Sequence, residues 1–140
     1  MSTEPPDVSD PTSEQPSRST LYDRVGGAAY FVQLVERFYD RVERDPLLRP
    51  IYPPNLEPGK ANLAAFLAQY WGGPPSYSAR RGHPRLRMRH FRFPIGTRER
   101  DAWVHHMIEA VRESPASQPD TQALVAYFQR AATMLINQPS

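Results

Sequence analysis

Phe31-Val32-Gln33-Leu34-Val35-Glu36-Arg37-Phe38-Tyr39-Asp40-Arg41-Val42 decides the fold class. Its large apolar residues Phe31, Leu34, Val35, Phe38, Tyr39 and Val42 recur at i, i+3, i+4. That spacing paints one face of a helix and does not fit the alternation of a strand. The pattern predicts a helix from about Ala28 to Arg44, stopped by Pro46. Upstream, Gly26-Gly27 separates it from a short helical turn at Leu21–Arg24. Downstream, Leu63, Phe66, Leu67 and Tyr70 predict a second helix from about Gly59 to Trp71, ended by Gly72-Gly73-Pro74-Pro75. A third starts at Thr97, a good N-cap with Glu99 in the first turn. Trp103, His106, Met107 and Ala110 share its face, and Ser114-Pro115 closes it. A fourth opens near Pro119-Asp120, with a stripe of Leu124, Phe128, Ala131 and Leu135. A further turn runs from Pro84 to His90. No segment alternates as a strand does, so the fold class is all-α.

The connections are long for helices of this size. Asp45–Pro58 contains five prolines, and Gly72–His83 contains three glycines and two prolines. Links of that length inside a compact domain are uncommon and often functional. Four medium helices so joined make a thin core, which a large apolar cofactor between them would thicken. Residues 1–19 are rich in Pro, Ser, Thr and acids, and read as a disordered tail. The domain proper is then 20–137. The tail carries four acids and one arginine, so the rest is about +5 against a total of +2. This is basic, but short of a dedicated nucleic-acid binder. Absence of cysteine excludes disulfides, thiolate ligands and redox dithiols. No apolar run reaches membrane-spanning length and the N-terminus has no apolar signal region, so the expectation is a cytoplasmic protein with no membrane partner.

The densest charge is Arg80-Arg81-Gly82-His83-Pro84-Arg85-Leu86-Arg87-Met88-Arg89-His90, which with Arg92 puts six arginines in thirteen residues and no acid. Such a segment meets an external polyanion or an internal anionic group. The single imidazole at its end favours the second: His90 as an iron ligand beside a porphyrin whose carboxylates pair with arginine. Leu86 and Met88 can face apolar material, and Phe91 and Phe93 can flank a flat ring. Read alone, a histidine after a basic run is more often a solvated surface residue. Tyr39, at the edge of the first helical stripe, and Trp103, leading the third, both have the simpler reading of core anchors. Tyr52, between Pro50-Ile51 and Pro53-Pro54, sits on stiff backbone. Two phenols and an indole converging on one pocket would be donors for a diatomic ligand. His105 and His106 are adjacent and point to different faces, so they make no i, i+4 zinc pair. No phosphate loop, dinucleotide fingerprint or serine nucleophile elbow is present.

The chain resembles the truncated haemoglobins, specifically the second group of bacterial ones. The resemblance covers roughly Leu21 to Asn137. It rests on Leu21-Tyr22-Asp23-Arg24-Val25-Gly26-Gly27, Arg37-Phe38-Tyr39, Leu48-Arg49-Pro50-Ile51-Tyr52-Pro53, Phe66-Leu67-Ala68-Gln69-Tyr70-Trp71-Gly72-Gly73-Pro74, Gly82 through His90, and Arg100-Asp101-Ala102-Trp103. It implies a two-over-two helical sandwich around haem b. His90 matches the proximal iron ligand, Tyr39 the distal-helix tyrosine, Tyr52 the tyrosine opening the interhelix loop, and Trp103 the tryptophan that marks the group. Leu63 and Phe66 match residues lining the distal side, and Arg89 belongs to the stretch beside the haem edge. Gly59 falls where globins place a distal gate, and implies open access. The family commonly follows the proximal histidine with a small residue, then Pro and Phe. Here the chain reads Phe91-Arg92-Phe93-Pro94.

The resemblance implies tight, reversible binding of O2, with NO and CO as further diatomic ligands. An unidentified reductase is an implied partner, and a homodimer is compatible with it. A net hydrogen bond is worth about 1 kcal/mol and about 1.4 kcal/mol is tenfold, so two or three donors slow ligand release by roughly one to three decades. That suits sensing, scavenging or redox chemistry better than bulk oxygen transport. A haem redox enzyme on the same scaffold, peroxidase or nitric oxide dioxygenase, is the alternative. An arginine-rich nucleic-acid module is the third reading, set back by the modest total charge.

Overall fold

The computed structural model of the chain describes residues 19–75 and 96–133. Five helices order as α1 (Leu21–Val25), α2 (Ala28–Glu43), α3 (Glu57–Tyr70), α4 (Thr97–Arg112) and α5 (Gln118–Thr133), with a 3-10 turn at Arg49–Ile51. No strand occurs among the described residues. The turn read from Pro84 to His90 lies outside them, with most of the tail read at 1–19 and Leu135 of the last stripe. Among the described residues, no helix is long and apolar enough to cross a membrane.

The α2 stripe predicted from periodicity is the centre of the core. Phe31, Leu34, Val35, Phe38 and Val42 are essentially inaccessible. α2 packs on α3, α4 packs on α5, and α2 also lies against α4, which stacks two helices over two. From the second pair, Trp103, Met107, Ala110 and Val111 of α4 and Leu124, Phe128 and Ala132 of α5 fill the other side.

α3 departs from its predicted stripe. Its buried residues are Ala64, Leu67 and Ala68, whereas Leu63 and Phe66 are half-buried and Tyr70 is exposed. Small residues on the inner face let α3 approach α2 closely, and the large ones ride along its flank. α3 also starts earlier than the apolar pattern suggests, at Glu57, because Pro58 suits a first helical turn and Asn55 Oδ1 accepts from Glu57 N at 3.1 Å. Thr97 is likewise the first helical residue of α4 rather than its cap. The cap is Gly96, whose N–H donates to Glu99 Oε1 at 2.9 Å.

The two glycine pairs do more than end helices. Gly72 has φ +112, a left-handed conformation costly for other residues. It lies so close to Thr20 that an added Cβ would come within 2.5 Å of the threonine side chain. Thr20 is the N-cap of α1, and Tyr22 N donates to Trp71 O at 3.0 Å. The end of α3 is thus the bed of α1. On its other side α1 is tied to α5 by Arg24, whose Nε and terminal nitrogen reach the buried Asp120 carboxylate at 3.2 and 3.0 Å.

Candidate functional site

α2 carries Tyr39 on its buried stripe, one position beyond Phe38. Tyr52 follows the 3-10 turn, in a proline-rich segment with few backbone N–H groups to anchor it. Arg49 supplies the anchor. Its guanidinium donates to the carbonyls of Tyr52, Pro53 and Pro54 at 3.2, 3.1 and 3.1 Å. The two phenol rings meet edge to face, centroids 5.5 Å apart. Phe38 stands beside Tyr39 at 5.4 Å and beside Trp103 of α4 at 5.6 Å. The three donors read from the sequence therefore converge, although they come from α2, a loop and α4.

Burial controls their chemistry. The Tyr39 phenol is pushed up to about 12 by loss of hydration, opposed by the Lys60 ammonium. The Tyr52 phenol is raised further by burial and by Tyr39, and opposed by the Trp103 indole that faces it. Both phenols stay protonated at neutral pH and keep a proton to donate. Trp103 Nε1 is buried and has no partner in hydrogen-bond geometry. A buried donor left unpaired costs about 1–3 kcal/mol, and an indole N–H that faces the Tyr52 phenol without meeting it in hydrogen-bond geometry is open to a better acceptor.

Leu63 and Phe66 present half-buried apolar surface on α3. Apolar flank, protonated phenols and a spare indole donor fit a flat apolar cofactor carrying a small polar ligand. His90 and Arg89 lie outside the described residues. Gly59 is not the open gate that the resemblance implies. A Cβ there would sit 2.9 Å from the Tyr39 hydroxyl, so the phenol itself occupies the space above the glycine.

Two further constellations join residues that no local sequence pattern links. His106 of α4 joins Arg41 and Asp45 at the end of α2. Arg41 Nε donates to His106 Nδ1 at 3.1 Å, and His106 Nε2 meets Asp45 Oδ2 at 2.7 Å. With Nδ1 accepting, Nε2 carries the proton toward the carboxylate. Tyr70, Trp71 and Tyr127 form a second cluster between α3 and α5. The Tyr70-Trp71 doublet was visible in the sequence, but its partner on α5 was not.

The bacterial-like globin profile matches residues 20–137. A group 2 truncated haemoglobin of Bacillus subtilis (strain 168) is 38% identical over 112 residues, 80% of this chain and 85% of that protein. Among solved structures, the haemoglobin of the thermophilic phototroph Chloroflexus aurantiacus is 51% identical, with a TM-score of 0.84 over 86% of this chain and all (100%) of its own. A truncated oxygen-avid haemoglobin from Bacillus subtilis is 36% identical, with a TM-score of 0.79 over 85% of this chain and 100% of its own.

Proposed function

Since the chain belongs to the bacterial-like globin family, as a truncated haemoglobin taking haem, we propose that it carries haem b and binds dioxygen tightly and reversibly. The observation that carries this reading is the buried Trp103 N–H, without a partner in hydrogen-bond geometry, facing the Tyr52 phenol, which itself packs edge to face on Tyr39. An oxygen-avid relative of the same fold supports it. Haem bound here would supply iron chemistry able to take up a diatomic ligand. His90 is the residue assigned to hold the iron, and the Arg85–Arg89 stretch, with Arg89 among the cofactor-binding residues, the one to lie beside the haem edge. Leu63 and Phe66 pack against the ring.

The chain's own contribution is a donor set. Trp103, Tyr39 and Tyr52 would offer N–H and O–H groups to a small ligand that accepts hydrogen bonds strongly, as dioxygen would at a haem held here. NO and CO can enter the same pocket. CO draws little charge and gains less from those donors, so the pocket discriminates in favour of dioxygen. Neither the redox-enzyme nor the nucleic-acid reading is favoured by the family. We place the protein in the cytoplasm, with a reductase partner and a homodimer as its associations.

An absorption spectrum of the purified protein after haemin reconstitution tests the reading. A Soret band shifting on reduction and again in air is expected. His90→Ala is expected to lose normal haem retention. Full retention by that variant with an unaltered spectrum would reassign the iron ligand, and no stoichiometric haem uptake by the parent would overturn the function.

A further inference from the structure

Aromatic rings form an unbroken file from the donor pocket to the surface. The Trp103 ring lies 6.0 Å from Phe128, Phe128 lies 5.2 Å from Tyr127, and Tyr127 lies 4.3 Å from Tyr70, centroid to centroid. Trp71 closes a triangle with Tyr70 and Tyr127 at 5.2 and 5.5 Å. Accessibility changes sharply along the file. Trp103, Phe128 and Tyr127 are 5%, 1% and 8% exposed, and Tyr70 is 51% exposed. Hydrophobic burial does not account for this end point. Tyr70 leans one face of its ring on Tyr127 and leaves half its surface in water.

Indole and phenol are the side chains that give up one electron most readily once thiols are excluded, and this chain has no cysteine. Phenylalanine is not oxidised under comparable conditions, but its ring bridges Trp103 and Tyr127 without a gap in packing. Oxidising a phenol also releases its proton. The buried Tyr127 has no bulk water beside it to take that proton, whereas Tyr70 does. An electron vacancy entering at Trp103 therefore comes to rest at Tyr70.

We propose that Trp103, Tyr127 and Tyr70, bridged by Phe128, are a relay that moves an oxidising equivalent from the pocket to the Tyr70 phenol at the surface. The proposal rests on the haem reading above, and its oxidant is hydrogen peroxide. Tyr70 gives one electron to the relay and its phenolic proton to water, leaving a neutral phenoxyl radical. Where no external reductant quenches them, two such radicals on separate molecules join ring carbon to ring carbon. Overall, one peroxide takes two electrons and two protons from two phenols and leaves as two waters. A phenolic or enediol reductant too bulky for the pocket can instead return the electron and proton at Tyr70.

The test uses the haem-loaded full chain with stoichiometric hydrogen peroxide, a nitroso spin trap in one arm and none in the other. Readouts are the trap adduct located by peptide mass spectrometry and the dityrosine-linked dimer on a denaturing gel. Parent protein is expected to carry the adduct at Tyr70 and to form the dimer. Tyr70→Phe is expected to lose both. Tyr127→Phe keeps the ring and the exposure of Tyr70 but sets two rings that are not oxidised in series between Trp103 and Tyr70, and is expected to lose most of both, with an unchanged Soret band. Undiminished labelling of Tyr70 in Tyr127→Phe, or an adduct mapping elsewhere in the parent, overturns the relay while the haem reading stands. A parent chain that takes up no haem overturns both.

Discussion

A methyl group at Gly59 would stand 2.9 Å from the Tyr39 hydroxyl oxygen but 3.7 Å from the ring carbon that bears it. The conflict is therefore with one oxygen atom, at the end of a side chain held by Phe38 and Tyr52. Gly59→Ala is expected to cost about 1–3 kcal/mol, as overpacking does, when unfolding is followed in urea. Tyr39→Phe removes the oxygen, so the double variant should recover most of that loss. A double-mutant cycle with no coupling would mean the phenol is not confined by the glycine. Trp103 answers to a different measurement. Trp103→Phe keeps a ring against Phe38 and Phe128 and deletes the spare N–H, so dioxygen dissociation should quicken by about tenfold in stopped flow, the worth of one good hydrogen bond. An unchanged rate would remove the indole from the donor set. At this scale the sequence was most readable for Tyr39, Tyr52 and Trp103, which the structure gathers from three places. It was least readable for Gly59, because the atom that fills its space belongs to a residue twenty positions away on another helix.

Helices were legible where one face is both large and buried. α2 has that character along its whole length, and its predicted bounds differ from those observed by a single residue at the C-terminal end, Glu43 for Arg44. α3 does not, because its buried face is built from alanines and one leucine, which carry a weak apolar signal. Its large residues mark the flank assigned to the cofactor, so a stripe derived from size points sideways. The α1–α3 junction was invisible to periodicity, being made of backbone. Gly72→Ala tests it. The new residue would be strained at φ +112 and its Cβ would press on Thr20, the cap of α1. We expect a loss of about 2–3 kcal/mol of stability, with faster amide hydrogen exchange in α1. Thr20→Ala, which removes only the cap, should cost about 1 kcal/mol. Equal effects of the two would argue that the close approach matters little.

Across the whole molecule, elements from opposite ends of the chain are riveted by polar contacts between residues far apart in sequence. Asp45 and His106 are 61 positions apart, and Arg24 and Asp120 are 96 apart. No local pattern announces such pairs, which is why His106 read as an ordinary member of an apolar face. The first of these pairs sets a response to acid. Burial opposes ionisation of Asp45, but His106 and the N–H groups of Leu47 and Leu48 together hold its carboxyl below the usual carboxylate range. A carboxyl lowered in the folded state adds stability above its unfolded pKa and forfeits it as pH falls through the lowered value. Urea midpoints should therefore drop on acidification through and below the ordinary carboxylate range. Asp45→Asn should be less stable than the parent at neutral pH and flatter in that acid range. A variant with the parent's full acid slope would place the sensitivity at another carboxylate.

One guanidinium, that of Arg49, gathers the carbonyls of Tyr52, Pro53 and Pro54 into a closed loop held from within. Proline-rich connections elsewhere in proteins accept added residues with little penalty, since each doubling of loop length costs only about 0.6 kcal/mol. Here length is no longer free. A single residue inserted between Tyr52 and Pro54 would pull the carbonyls out of reach of one planar fork and swing Tyr52 off its bearing. This stretch is then a poor place for natural length variation or for grafting a tag, although its composition suggests a permissive linker.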